Sequence, residues 1–262
     1  MEEQTSAPIQ PFIAFEHVCQ RFGDNVVFDD LSFFVLPRET LCIIGRSGVG
    51  KSVSLKIAMG FLKPDAGCVI VNGEDITGFT EAQMEPIRRA VTMVFQSGAL
   101  FDSMSVFENV AFPLRQRGEL SEDQIDQIVN GVLGVVGVSQ MAHSLPSELS
   151  TGMRRAVAIG RALAAEPQAI LYDEPTTMVD PLMAHLMANL IQKVKVQLNL
   201  TSIVVTHDME LAEKLADRVL FLHEGKAQFF GTVEELQGTS DPVLQEFLRL
   251  DERTLPNPAL WK

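Results

Sequence analysis

The sequence predicts an α/β fold with a mostly parallel core sheet, an antiparallel β subdomain at its N-terminal end and an inserted helical subdomain. Three observations carry this. The apolar run Leu41-Cys42-Ile43-Ile44 leads into Gly45-Arg46-Ser47-Gly48-Val49-Gly50-Lys51-Ser52 and then into a helical pattern, the order strand, phosphate loop, helix. Beyond Pro167 apolar β runs alternate with helical stretches, which implies parallel strands joined by crossover helices. Between the two, residues 97–147 take on helical character. At 262 residues, 46% of them hydrophobic, the chain suits one large domain with a helical subdomain at about 97–165.

Taken in order, Phe12–Val18 alternates loosely and reads as a strand, and Val26–Leu36 as one or two more. Phe22-Gly23-Asp24-Asn25 fits the turn of an antiparallel hairpin. After the Leu41–Ile44 strand a helix is expected from Lys51 to about Met59. Pro64, Gly67 and Asn72-Gly73 mark turns around a short strand, Cys68–Val71, and Ala90–Phe95 is a further β run ending at Gln96. Ser121-x-x-Gln124 has the form of a capping box, in which two side chains satisfy each other's free backbone N–H groups. Ile125, Ile128, Val132, Leu133 and Val136 continue from it as an apolar stripe. Pro146 interrupts, and Ser150 is the expected N-cap of a helix with Met153, Val157, Gly160, Leu163 and Ala164 on one face. Then come a strand at Ala169–Tyr172, a helix at Pro181–Leu198 and a strand at Thr201–Thr206. A helix capped by Asp208 follows at Met209–Ala216, and a strand at Arg218–His223 turns at Glu224-Gly225. Thr232 and Asp241 are expected N-caps of two closing helices, and the tail Arg253–Lys262, with two prolines and Trp261, reads as irregular.

Composition narrows the function. The formal net charge of −13 argues against nucleic acid as a main ligand, because phosphate backbones are held by a surplus of Lys and Arg. Cys19, Cys42 and Cys68 are odd in number and lack metal-ligand spacing, so they read as reduced, mostly packed thiols in a reducing compartment. Met1-Glu2-Glu3-Gln4 is acidic with no apolar stretch behind it, unlike a secretory signal. No window approaches the roughly 18–20 apolar residues of a membrane-spanning helix, so work at a membrane is expected through a partner.

Three segments carry chemistry. In the glycine loop the backbone curls so that successive N–H groups face a polyphosphate, Lys51 adds charge at the β- and γ-phosphates, and the Ser52 hydroxyl can ligate Mg²⁺. Ala169-Ile170-Leu171-Tyr172-Asp173-Glu174 is an apolar strand that ends in two carboxylates. Delivered beside the loop, Asp173 can hold Mg²⁺ and Glu174 can polarise a water for attack on a γ-phosphate. Leu149-Ser150-Thr151-Gly152-Met153 sets a hydroxyl and free N–H groups at a helix start, which is an anion site or an ordinary cap.

Together with Gln96 and Thr206-His207-Asp208, these motifs stand in the order of an ATP-binding-cassette (ABC) transporter ATPase, and the resemblance covers nearly the whole chain. It implies a P-loop NTPase core that uses ATP and Mg²⁺. It makes Gln96 a contact to Mg²⁺ or the attacking water and His207 a switch on the γ-phosphate. Phe22 becomes the aromatic that stacks on adenine. Ser150 and Gly152 would contact the γ-phosphate held by a second copy, and Asp180, in Met178-Val179-Asp180-Pro181, would cross the dimer interface. The chain departs from the usual L-S-G-G-Q signature at Thr151 and Met153. Thr151 does not readily take a positive φ, so the turn there must suit a β-branched residue.

The run Phe95–Asp102, continuing through Val106–Leu114, resembles the Mla/Mce-associated ATPases, as does Met153. That implies a homodimer sandwiching ATP at the cytoplasmic face of the inner membrane, with an integral-membrane permease. It further implies an Mce-domain substrate-binding protein, a small regulatory subunit and a lipid as cargo. A small-solute importer shares every catalytic motif and differs mainly after Gln96. A soluble ABC ATPase of DNA repair or translation usually carries long insertions or a second cassette, and neither is present in this sequence.

Overall fold

The structure, a computed structural model, describes residues 10–252; the tail Arg253–Lys262 and the acidic start of the chain lie outside the described residues. Strands β1 (Ile13–Phe22) and β2 (Asn25–Val35) pair antiparallel around the predicted turn, and β2 is one continuous strand. β3 (Thr40–Ile44) runs into helix α1 (Lys51–Ala58), followed by β4 (Ala66–Val71) and the two-residue β5 (Glu74–Asp75). Next come α2 (Glu81–Ala90) and β6 (Val91–Val94), then the helical insertion of α3 (Val106–Arg117), α4 (Glu122–Val136) and α5 (Thr151–Ala164). The chain closes with β7 (Ala169–Asp173), α6 (Pro181–Leu198), β8 (Thr201–Val205), α7 (Met209–Leu215), β9 (Arg218–His223), β10 (Lys226–Gly231), α8 (Val233–Gln237) and α9 (Pro242–Glu252).

Two sheets result. One is antiparallel in the order β2-β1-β4-β5, and the other runs β10-β9-β3-β8-β7-β6 with only the β10 edge antiparallel. The alternation along the parallel strands builds two cores. Leu41, Ile43, Leu171, Ile203 and Val205 pack toward the antiparallel sheet with Phe15, Phe28 and Leu31. Cys42, Ile44, Ile170, Tyr172 and Val204 pack on the opposite face with Val157, Ile159 and Met187. Burial on both faces is why these strands read as unbroken apolar runs. Cys42, fully enclosed, has its thiol pushed up to about 12 by burial and is an inert core residue.

Helix α2 was not anticipated from the sequence. Pro86 inside it and four charged residues in ten blur its period. Its start carries a readable signal, since Gln83 Oε1 accepts the Thr80 backbone N–H at 2.9 Å, the reach-back of a capping box. The loop before α3 is folded by one buried side chain. Asn109 accepts from the Phe101 N–H at 2.8 Å and donates to the carbonyls of Phe101, Met104 and Ser105 at 3.0–3.1 Å.

Candidate active site

Four neighbouring parallel strands, β6, β7, β8 and β3, end at the same edge, where open α/β sheets place their ligands. Their exits deliver Gln96, the Asp173-Glu174 pair, His207 and the glycine loop respectively. The loop is pressed against the hairpin: a Cβ at Gly50, which has φ +107°, would lie 2.6 Å from Val27 Cγ1. That position admits no side chain and lets α1 begin directly at Lys51.

Lys51 is only 5% exposed, and its Nζ donates to Gly45 O at 2.8 Å and Arg46 O at 3.2 Å. The same Nζ stands 3.4 Å from Glu174 Oε1. Ser52 Oγ donates to Asp173 Oδ1 at 2.6 Å. Glu174 has φ +48°, strained for a non-glycine residue, while its N–H extends the sheet ladder to Val205 O at 2.9 Å. The turn that follows brings Thr177 back, so that its hydroxyl donates to Glu174 Oε2 at 2.8 Å, and His207 Nδ1 lies 2.8 Å from the same oxygen. A cavity of about 520 Å³ opens among Ser47, Gly48, Gly50, Lys51, Ser52, Gln96, Glu174, Thr177 and His207.

The remaining residues singled out from sequence lie elsewhere. Ser150 caps α5, accepting from the Met153 N–H at 3.3 Å, and Gly152 is packed against Met183, whose Cε would be 1.8 Å from an added Cβ. Thr151 is the first helical residue and has no positive φ, which accounts for a β-branched side chain being accommodated there. Asp180 caps α6, accepting from the Met183 N–H at 3.0 Å. Arg46 pairs with Glu246 of α9 at 3.1 Å. Phe22 ends β1 and is half-exposed. Beside it, Arg21, Asn25, Val26 and Val27 face Gly48 and Val49 across a second cavity of about 430 Å³, but the Phe22 ring is not part of that lining. Sequence reasoning missed Thr177, and nothing in Pro175-Thr176-Thr177 marks it. It also gave no role to Arg155, although an arginine on the buried face of a helix is a readable oddity.

Burial raises the Asp173 carboxyl above its ordinary range, and the neighbouring Glu174 charge adds to this, while the Ser52 hydroxyl and the charges of Lys56 and Lys51 oppose it. A carboxylate desolvated beside a second one and a hydroxyl suits a hard cation. One carboxylate, a hydroxyl and substrate oxygens form a Mg²⁺ donor set, and among the described residues no all-protein cage of acidic and His/Cys side chains is found. A raised carboxyl pKa means the folded state holds its proton to higher pH than the unfolded chain. The stability of the chain without nucleotide or divalent cation should therefore rise as pH falls through the raised pKa toward the ordinary aspartate range. Asp173→Asn should remove that slope and raise the melting temperature at neutral pH. Thermal unfolding across pH, with chelator present, checks both.

Residues 28–177 match the ABC transporter family. The chain belongs to it. Over 92% of its length it is 39% identical to the intermembrane phospholipid transport system ATP-binding protein MlaF of Haemophilus influenzae, covering 91% of that protein. MlaF of Escherichia coli K12 is 36% identical over 86% of this chain and 84% of its own length. Among solved structures, the dimeric post-hydrolysis state of the ATP-binding cassette MJ0796 bound to ADP and Pi superposes with a TM-score of 0.77. It is 28% identical and covers 84% of this chain and 98% of that one. The ABC cassette predicted from the order of motifs is thus the observed fold, and as an ABC ATPase the chain binds and hydrolyses ATP. Among its described residues no helix is long and apolar enough to cross a membrane.

Proposed function

We propose that this chain is the ATP-hydrolysing subunit of a transporter that moves phospholipid or a related lipid across the bacterial envelope. The observation that carries the catalytic part is the convergence of Lys51, Ser52, Gln96, Glu174 and His207 on one cavity, with Asp173 bonded behind Ser52. The loop from Gly45 to Ser52 cradles the ATP phosphates, with Lys51 released from Glu174 to them, and Phe22 stacks on adenine. Ser52, Asp173 and Gln96 would hold Mg²⁺, which would supply charge neutralisation for the triphosphate. Glu174 accepts a proton from a water as its oxygen bonds to the γ-phosphorus and the bond to the β–γ bridging oxygen breaks, giving ADP and phosphate. His207 steadies the Glu174 carboxylate and reads the γ-phosphate.

A second copy completes the site. Ser150 and Gly152 of one subunit face the γ-phosphate held by the other, and Asp180 crosses between them. Supporting this, Met178 in the turn before Asp180 and Leu182 and Leu186 on α6 after it expose 86%, 68% and 49% of their surface, apolar groups that a second subunit would cover. The permease would meet the segment after Gln96, a reading supported by Phe101 and Phe112, which pack together with Phe101 left exposed. Lipid as cargo rests on the phospholipid transport system to which the MlaF relatives belong, and with it come an Mce-domain protein, a small regulatory subunit and a peripheral place at the cytoplasmic face of the inner membrane. Purification of the tagged chain from detergent-solubilised membranes should bring down a permease together with an Mce-domain protein. Recovery of a periplasmic solute receptor instead would replace the lipid reading with that of a small-solute importer.

A further inference from the structure

The helix that starts at Ser150 also holds the turn that carries Glu174. Arg155, five residues past the cap, is 5% exposed, and α5 is buried over most of its surface. Its guanidinium forks onto two backbone carbonyls of the segment after β7: Nη1 donates to Pro175 O at 2.7 Å and Nη2 donates to Thr177 O. Thr177 in turn donates its hydroxyl to Glu174 Oε2 at 2.8 Å. Protein atoms alone therefore connect α5 to the Glu174 carboxylate, through one guanidinium, one short turn and one hydroxyl.

The arrangement is costly if packing is its only purpose. Among the described ion pairs Arg155 has no carboxylate partner, and its Nε is buried without an acceptor. An enclosed cation with an orphaned donor loses to an unbranched apolar side chain of similar length on stability alone. What the arginine adds is geometry, since a planar fork fixes the spacing and orientation of two carbonyls at once, which neither methionine nor lysine does. Glu174, at φ +48°, sits on a strained turn that needs such support.

We propose that Arg155 is a positioning residue that locks the Glu174 turn to α5. Docking of the Ser150 end on the nucleotide of a second copy and alignment of Glu174 on this chain's own nucleotide are then one movement. The proposal rests on the assignment of Glu174 as base and Ser150 as the donor in trans. It identifies one helix as the link between the two ATP sites of the dimer: its start serves one site and its Arg155 the other.

The test measures steady-state and single-turnover ATP hydrolysis by the full chain against ATP concentration. It compares wild type, Arg155→Met, Arg155→Lys, Glu174→Gln and the Arg155→Met/Glu174→Gln pair. Arg155→Met is expected to lower kcat about tenfold or more with the half-saturating ATP concentration within about twofold, because orientation is lost and binding is not. Its Hill coefficient should fall below that of wild type. Arg155→Lys, which keeps one donor arm and the charge, should recover part of kcat and shows that the position tolerates change without unfolding. In the Glu174→Gln background the methionine should cost less than about twofold more, since a residue that acts through Glu174 has little left to lose. The same fold-loss in both backgrounds, an unchanged kcat or an unchanged Hill coefficient overturns the proposal. Near wild-type turnover by Glu174→Gln alone overturns the base assignment instead, so the two failures are told apart.

Discussion

Glu174→Gln is expected to slow ATP turnover by about 10²–10⁴-fold, the usual contribution of a positioned general base, and to convert ATP from substrate into a stable dimerising ligand. The amide keeps the shape of the side chain and can still accept from Thr177, so the turn after β7 should stand unchanged. What is lost is the proton acceptor. What is also lost is a negative charge 3.4 Å from Lys51 and 2.8 Å from His207, in the cavity where the γ-phosphate must sit. Phosphate and carboxylate repel at such range, so the glutamine should bind ATP more tightly as well as cleave it more slowly. Light scattering with ATP and Mg²⁺ should then show a persistent dimer that dissociates when ATP is withheld. Turnover near the wild-type rate would remove Glu174 from the base role.

How much of this was legible in the sequence depended on whether a residue's role is local. Gly45–Ser52, Asp173, Glu174 and His207 sit at strand ends, and a strand followed by a loop announces itself through apolar runs and glycines. Their convergence then follows from parallel strand order. The order β3-β8-β7-β6 was itself not legible, because it is set by crossovers between segments far apart in the chain. Helix α2 was lost to Pro86 and to its charged faces, though the Thr80 to Gln83 cap was on view. Thr177 and Arg155 matter only through partners brought near in space, with Arg155 twenty and twenty-two residues from the carbonyls it holds. No periodicity or spacing encodes that pairing. Phe22 was picked by its position on the turn before the loop, and the structure leaves its half-exposed ring at the hairpin end, beside the cavity between the hairpin and Gly48.

Lys51→Met should abolish useful ATP binding while exposing a second duty of the same side chain. In the nucleotide-free chain the buried ammonium satisfies Gly45 O and Arg46 O and faces Glu174. Phosphate oxygens must draw it away from that carboxylate, and truncating one member of such a buried, hydrogen-bonded charge pair costs about 2–5 kcal/mol, or about 30-fold to several thousand-fold in affinity. The methionine also leaves Glu174, 13% exposed, with only Thr177 and His207 as partners, so the fold should lose stability as well. The two effects separate in the double variant Lys51→Met/Glu174→Gln. Removing the stranded charge should return the melting temperature toward wild type, whereas ATP affinity should stay lost because the phosphates still lack their cation. Calorimetric titration with ATP, beside thermal unfolding of the same four proteins, reads both quantities. Binding by Lys51→Met within about twofold of wild type would mean that the backbone N–H groups of the loop, and not this lysine, hold the triphosphate. Recovery of binding in the double variant would instead mean that repulsion from Glu174 is what keeps ATP out, and would reduce Lys51 to the counter-ion of that carboxylate.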